Sequence, residues 1–187
     1  MNTRKPSRLH YAWVILAVAL LVVFAALGLA RFAYGLVLPA MQHELGLDNK
    51  QAGLLASANF IGYMAMTLVG GIAATHFGPR YVISIGLALA GVSMIMTGLS
   101  DEFFFVALWR MLTGMGSGLS NVPVIGLLAA WFGSRRIGTV TGLAVTGPSF
   151  ALIGLGVWVP WTLEFFVVDV WRAGWSGLAE TALLIGI

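Results

Sequence analysis

The chain has 187 residues, 59% of them hydrophobic and only 9% charged, with 24 Gly, no Cys and a formal net charge of +3. A soluble domain averages roughly 45–50% apolar and about 25% charged residues, so a water-exposed globule is excluded, and so is a disordered tail. Without Cys, disulfide scaffolds and Cys-based metal or redox sites fall away, and a mean hydropathy of +0.94 leaves an integral membrane protein.

A helix that crosses the hydrocarbon core needs about 20 mostly apolar residues. After a cytoplasmic tail over residues 1–10, the sequence predicts spans near 11–39, 51–74, 80–99, 103–132 and 137–160, with a sixth at 172–187 that reads as cut short. Residues 11–187 therefore predict one all-α, six-helix membrane domain. Arg4, Lys5 and Arg8 ahead of the first run resemble a signal peptide, but that run far exceeds the 7–15 residues of a signal core, which predicts a retained helix. The connections at 43–50, 75–80, 99–102, 132–136 and between Glu164 and Asp169 are short, so neighbouring helices run antiparallel.

Charge follows this threading. One side collects Arg4, Lys5, Arg8, Arg80, Arg135 and Arg136 without an acid; the other collects Lys50 and Arg172 against Glu44, Asp48, Asp101, Glu102, Glu164 and Asp169. An excess of Lys and Arg marks the cytoplasmic side, which predicts a cytoplasmic N-terminus. Trp13, Trp109, Trp131, Trp158, Trp161, Trp171 and Trp175 all fall near predicted span ends, as interfacial aromatics do. The pI near 9.7 is then a signature of topology, and a nucleic-acid partner is not expected.

Three charges remain inside the predicted spans: Arg31, Arg110 and Glu180. A charge in a membrane costs at least about 2.5–3.5 kcal/mol on insertion scales, so such residues usually face a bundle interior or a wet cavity. Arg31 precedes the expected outer helix end at Pro39 by eight residues, roughly 12 Å of rise. Arg110 lies seven residues into its helix, roughly 10 Å of rise, and thus at similar depth. Helical steps from Arg110 reach Thr113 or Gly114, then Ser117 and Asn121; a step from Arg31 reaches Tyr34; Asn59 and Tyr63 lie one turn apart. Two readings stay open: guanidiniums that hold an anion by forked hydrogen bonds beside a polar solute path, or arginines that snorkel beside ordinary interhelical hydrogen bonds.

The other features are plainer. Glu180 could act as a proton site only if the sixth helix, about 24 Å long by the helical rise, is embedded. Gly138-x-x-x-Gly142 and Gly147-Pro148 read as close helix packing and a tolerated bend. His10, His43 and His76 fall at separate span ends, and no phosphate-cradling Gly-x-x-x-x-Gly-Lys occurs, so no metal, cofactor or enzymatic activity is expected.

The connection Gly71-Ile-Ala-Ala-Thr75-His76-Phe-Gly78-Pro79-Arg80 resembles the cytoplasmic signature of the major facilitator superfamily, with Thr75 where the family usually has Asp and His76 where it has Arg or Lys. Arg110-Met-Leu-Thr113-Gly114-Met-Gly116 resembles the family's Arg-x-x-x-Gly-x-Gly pattern; Trp131-Phe-Gly133 before Arg135 and Arg136, and Trp171-Arg172, resemble its later loops. The resemblance implies the N-terminal six-helix half of a twelve-helix carrier in an inner membrane, built from inverted three-helix repeats with a site near the midplane. It is nearest to bacterial branches that carry small organic anions or are sugar-transporter-like.

On this basis Arg31, Tyr34, Asn59, Arg110, Thr113, Ser117 and Asn121 are expected to bind a small anionic substrate. Gly71, Gly78 and Arg80 would form a gating loop, and Gly114, Gly116, Gly142, Gly147 and Pro148 would pack helices. The expected partners are the lipid bilayer, the solute, and a C-terminal half or second copy. The competing expectation is a non-transporting scaffold or an inactive remnant that needs a partner half.

Overall fold

In hydrocarbon, backbone polar groups must be satisfied within the protein, and a helix does so within one segment. The computed structural model, which describes residues 7–165, 177 and 179–180, is accordingly built of helices: α1 (Ser7–Val23), a π-helical segment (Phe24–Phe32), α2 (Ala33–Leu45), α3 (Asn49–Phe77), α4 (Pro79–Gly98), α5 (Phe103–Val145) and α6 (Gly147–Phe165). Among the described residues, five stretches are long and apolar enough to cross a membrane: Tyr11–Leu45, Asn49–Phe77, Pro79–Gly98, Phe103–Gly133 and Arg136–Val157. Most of the sixth predicted span lies outside the described residues, as do residues 1–6, Asp169, Trp171, Arg172 and Trp175. Within it, Ala179 is fully buried in a cluster with Leu29 and Ala30, while the helical Glu180 is exposed.

Local chemistry sets the turns. The first span does not stop at Pro39; α2 carries that proline inside the helix and ends at Leu45. The stop is Gly46, in the left-handed region at φ 62°, with its N–H on the Gln42 carbonyl. Asp48 then caps α3: its carboxylate accepts from the Gln51 N–H at 2.6 Å, and Gln51 Oε1 accepts from the Asp48 N–H at 3.0 Å. Gly78, at φ 88°, separates α3 from α4, and Pro79 opens α4 where its missing N–H costs nothing. Inside α5, Gly133 takes φ 63° and ψ 174°, which divides the fourth span from the fifth.

The helix Phe103–Gly133 lies between α3 and α4 and touches both through glycine. Gly114, Gly116 and Gly118 are spaced by two residues, about 200° apart on a helix, so they face alternate neighbours. A Cβ on Gly114 would run into the Asn59 carbonyl of α3, and one on Gly118 would lie 2.5 Å from the Tyr63 carbonyl oxygen. A Cβ on Gly116 would instead meet α4, 2.5 Å from the Gly86 carbonyl oxygen. Gly62 of α3 and Gly86 of α4 return the contact against the Met111 carbonyl and Ser120 Oγ. Backbone therefore lies on backbone along both lines, the close approach that small residues permit in membranes.

The first span joins this slab from the side. Gly28 faces Ala151 and Pro148 of α6, and a Cβ on Gly147 would lie 2.8 Å from the Leu20 carbonyl oxygen. Pro148 is buried there. Gly142 differs from the sequence expectation: it is exposed, and a Cβ on it would meet nothing within 4 Å, so it makes no close helix contact among the described residues. A glycine pair at a spacing of four permits close approach but does not say which face a neighbour occupies. Elsewhere the outer faces carry exposed Leu68, Phe77, Tyr81, Phe104 and Val157, as lipid-facing surfaces do.

Candidate functional site

The site starts with an irregularity in the backbone. Over Phe24–Phe32 the helix widens to π geometry, and the Ala33 N–H reaches back five residues to the Gly28 carbonyl. Such turns are rare and are frequently found at functional positions. Here the segment is rich in Ala and Gly, packs Gly28 on α6, and carries Arg31 on its last turn.

Arg110 approaches the same segment from α5. Its guanidinium is buried (1% exposed) and Nη1 donates to the Ala30 carbonyl oxygen at 3.2 Å. The cation lies 4.5 Å from the centre of the Tyr34 ring, within cation–π range. Asn59 Nδ2 donates to the Arg110 carbonyl oxygen at 2.9 Å, and the Tyr34 hydroxyl donates to the Ala52 carbonyl oxygen at 2.9 Å. Arg110, Asn59 and Tyr34 thus tie α5, α3 and the first span together.

Arg31 is half-buried and ringed by aromatic side chains: its guanidinium carbon is 4.9 Å from the Phe60 ring centre, 4.9 Å from Tyr63 and 5.9 Å from Phe32. Tyr63 is itself held, because Asn121 Nδ2 donates to its hydroxyl oxygen at 2.9 Å. Between the first span, α3 and α5 opens a cavity of about 590 Å³ lined by Arg31, Phe32, Tyr34, Ala56, Ser57, Asn59, Phe60, Ile61 and Arg110. Among the described residues that line it, two carry guanidiniums and none a carboxylate.

Of the seven expected binding residues, Arg31, Tyr34, Asn59 and Arg110 share this cavity. Thr113 and Ser117 are fully buried and donate back to their own helix, to the Trp109 and Thr113 carbonyls at 2.8 and 2.9 Å. Asn121 does not line the cavity among the described residues; it bonds Tyr63, whose ring lies under the Arg31 guanidinium. Phe32, Phe60, Ala56, Ser57 and Ile61 were not singled out from sequence; Phe60 and Tyr63, three residues apart and so on one helix face, were the available signal.

At the opposite end, Arg80 is exposed beside a second cavity of about 540 Å³, lined mostly by apolar residues of the first span, α4 and α5. Gly71 makes an ordinary contact of 3.5 Å to Val122, and the Thr75 hydroxyl donates to the Ile72 carbonyl oxygen of its own helix.

A family model described as "Uncharacterised MFS-type transporter YbfB" matches residues 23–187. The chain belongs to this family of the major facilitator superfamily. It is 29% identical over 147 residues to a probable hexose phosphate transport protein of Chlamydia pneumoniae, covering 79% of the chain and 31% of that relative. It is 29% identical over 178 residues to the 4-hydroxybenzoate transporter PcaK of Acinetobacter baylyi, covering 85% and 39%. The fold matches that of the proton:xylose symporter XylE with a TM-score of 0.82 at 17% identity, over 95% of this chain and 44% of that one. The chain thus spans less than half the length of the relatives it matches. With its apolar spans, family membership makes this a multi-pass membrane protein.

Proposed function

We propose that the chain supplies the N-terminal half of a secondary transporter that moves a small organic anion by alternating access. The observation that carries this reading is the placement of Arg31 and Arg110 in one cavity wall, with no carboxylate among its described lining residues. A guanidinium in such a wall can replace an anion's lost hydration with forked hydrogen bonds. Arg110 is anchored on the Ala30 carbonyl and forms the fixed wall; Arg31, half-buried, faces the entering solute.

The two sequence relatives named above are described as carriers of hexose phosphate and of 4-hydroxybenzoate, both anions at neutral pH, which supports the charge assignment. A C-terminal half or a second copy would close the cavity from the opposite side. The charge asymmetry supports an N-terminus in the cytoplasm of a cell whose inner membrane holds the carrier, with Gly71, Gly78 and Arg80 in a cytoplasmic gating turn. Thr75, bonded to its own helix, offers no carboxylate to latch that turn. The test is uptake of labelled organic anions by proteoliposomes containing the complete native protein. Arg31→Gln is expected to abolish it at unchanged reconstitution, and undiminished uptake would remove the anion site.

A further inference from the structure

The described lining of the cavity sets guanidiniums beside aromatic rings. The Tyr34 hydroxyl donates to the Ala52 carbonyl and one Asn59 amide N–H to the Arg110 carbonyl. Beyond the guanidiniums, Ser57, the Asn59 amide and the Tyr34 hydroxyl oxygen, as an acceptor, line the same space. The apolar part of the wall includes, with Ala56 and Ile61, two aromatic rings that are not buried, Phe60 at 46% exposed and Phe32 at 42%.

We propose, resting on the anion-carrier reading, that the solute is a flat aromatic carboxylate whose carboxylate is held by Arg31 and whose ring stacks against Phe60 and Phe32. The geometry suits both halves of such a molecule. The guanidinium of Arg31 lies over the Phe60 and Tyr63 rings at 4.9 Å, which fixes its plane and orients its donors. A ring attached directly to the bound carboxylate then lies against the neighbouring aromatic faces, where offset or edge-to-face contact is favourable. Tyr63, pinned by Asn121, is the positioning residue for Arg31.

The experiment is equilibrium binding to the complete native protein in detergent, with benzoate, cyclohexanecarboxylate and glucose 6-phosphate as probes. Benzoate is expected to bind about three- to tenfold more tightly than cyclohexanecarboxylate, the gain of one aromatic pair. Phe60→Leu should collapse that ratio toward one, and Phe60→Tyr, which keeps a ring, should restore it. Arg31→Gln should weaken benzoate binding by at least about 30-fold. Equal binding of the two carboxylates, tighter binding of glucose 6-phosphate, or a ratio unmoved by Phe60→Leu would overturn the aromatic assignment and leave the anion site standing. Binding of no anionic probe, or benzoate binding unchanged in Arg31→Gln, would overturn the anion site itself.

Discussion

Arg110 and Ala30 are 80 residues apart, yet Nη1 of the arginine donates to the alanine carbonyl oxygen at 3.2 Å inside the bundle. The bond falls on the π-helical segment, so a side chain from the fourth span braces the irregular turn that presents Arg31. Ordinary α-geometry satisfies each carbonyl within its own helix; a widened turn gains from an outside donor.

Arg110→Lys keeps the charge but loses the planar group that lies over Tyr34 and reaches Ala30. A hydrogen bond to a charged group contributes about 1.5–3 kcal/mol, so the variant should be destabilised on that order. Thermal unfolding in detergent measures this, and an unchanged Tm would remove the bracing role.

Glycine positions should divide sharply by their surroundings. Gly114→Ala forces a methyl into the Asn59 carbonyl and should cost about 1–3 kcal/mol or more, because backbone cannot turn aside as a side chain can. Gly142→Ala, with nothing within 4 Å, should leave the described fold intact or steady it slightly through better helix propensity. Comparing the two unfolding curves checks both.

Gly28 and Ala151 should behave as a coupled pair. Gly28→Ala places a methyl against the Ala151 methyl, separating the π-helical segment from α6. Adding Ala151→Gly removes the obstructing group, so the double variant should recover stability that the single one loses. A double-mutant cycle with an interaction energy below about 0.5 kcal/mol would show that the contact is unimportant.

Sidedness can be read directly because the chain contains no Cys. Lys50→Cys and Arg136→Cys sit at exposed positions at opposite ends of spans. A membrane-impermeant thiol reagent applied to intact cells should label the first and spare the second; the reverse pattern would invert the proposed orientation.

Span existence was legible because apolar runs of sufficient length leave few alternatives to a helix in hydrocarbon. Where a span ends was less so. Pro39 suggested a terminus, but a proline withdraws only one donor and α2 runs past it until Gly46 supplies a left-handed turn. The stripe from Arg110 through Thr113 and Ser117 was real as a pattern, yet the two hydroxyls bond their own backbone in the interior, where face-counting cannot tell a lined path from a packed one. The π-helical segment and the rings around Arg31 were out of reach, since each depends on partners from distant parts of the chain.

Side chains absorb small displacements by changing rotamer, and the two glycine-lined contacts of the fourth span have almost none to change. α3, α4 and the Phe103–Gly133 helix therefore have little elastic give between them, and a push on one is transmitted whole to the others. The backbone leaves regular α-geometry elsewhere, at the widened turn before Ala33 and at the reversal of Gly133. Both irregular turns border the slab that carries part of the cavity wall.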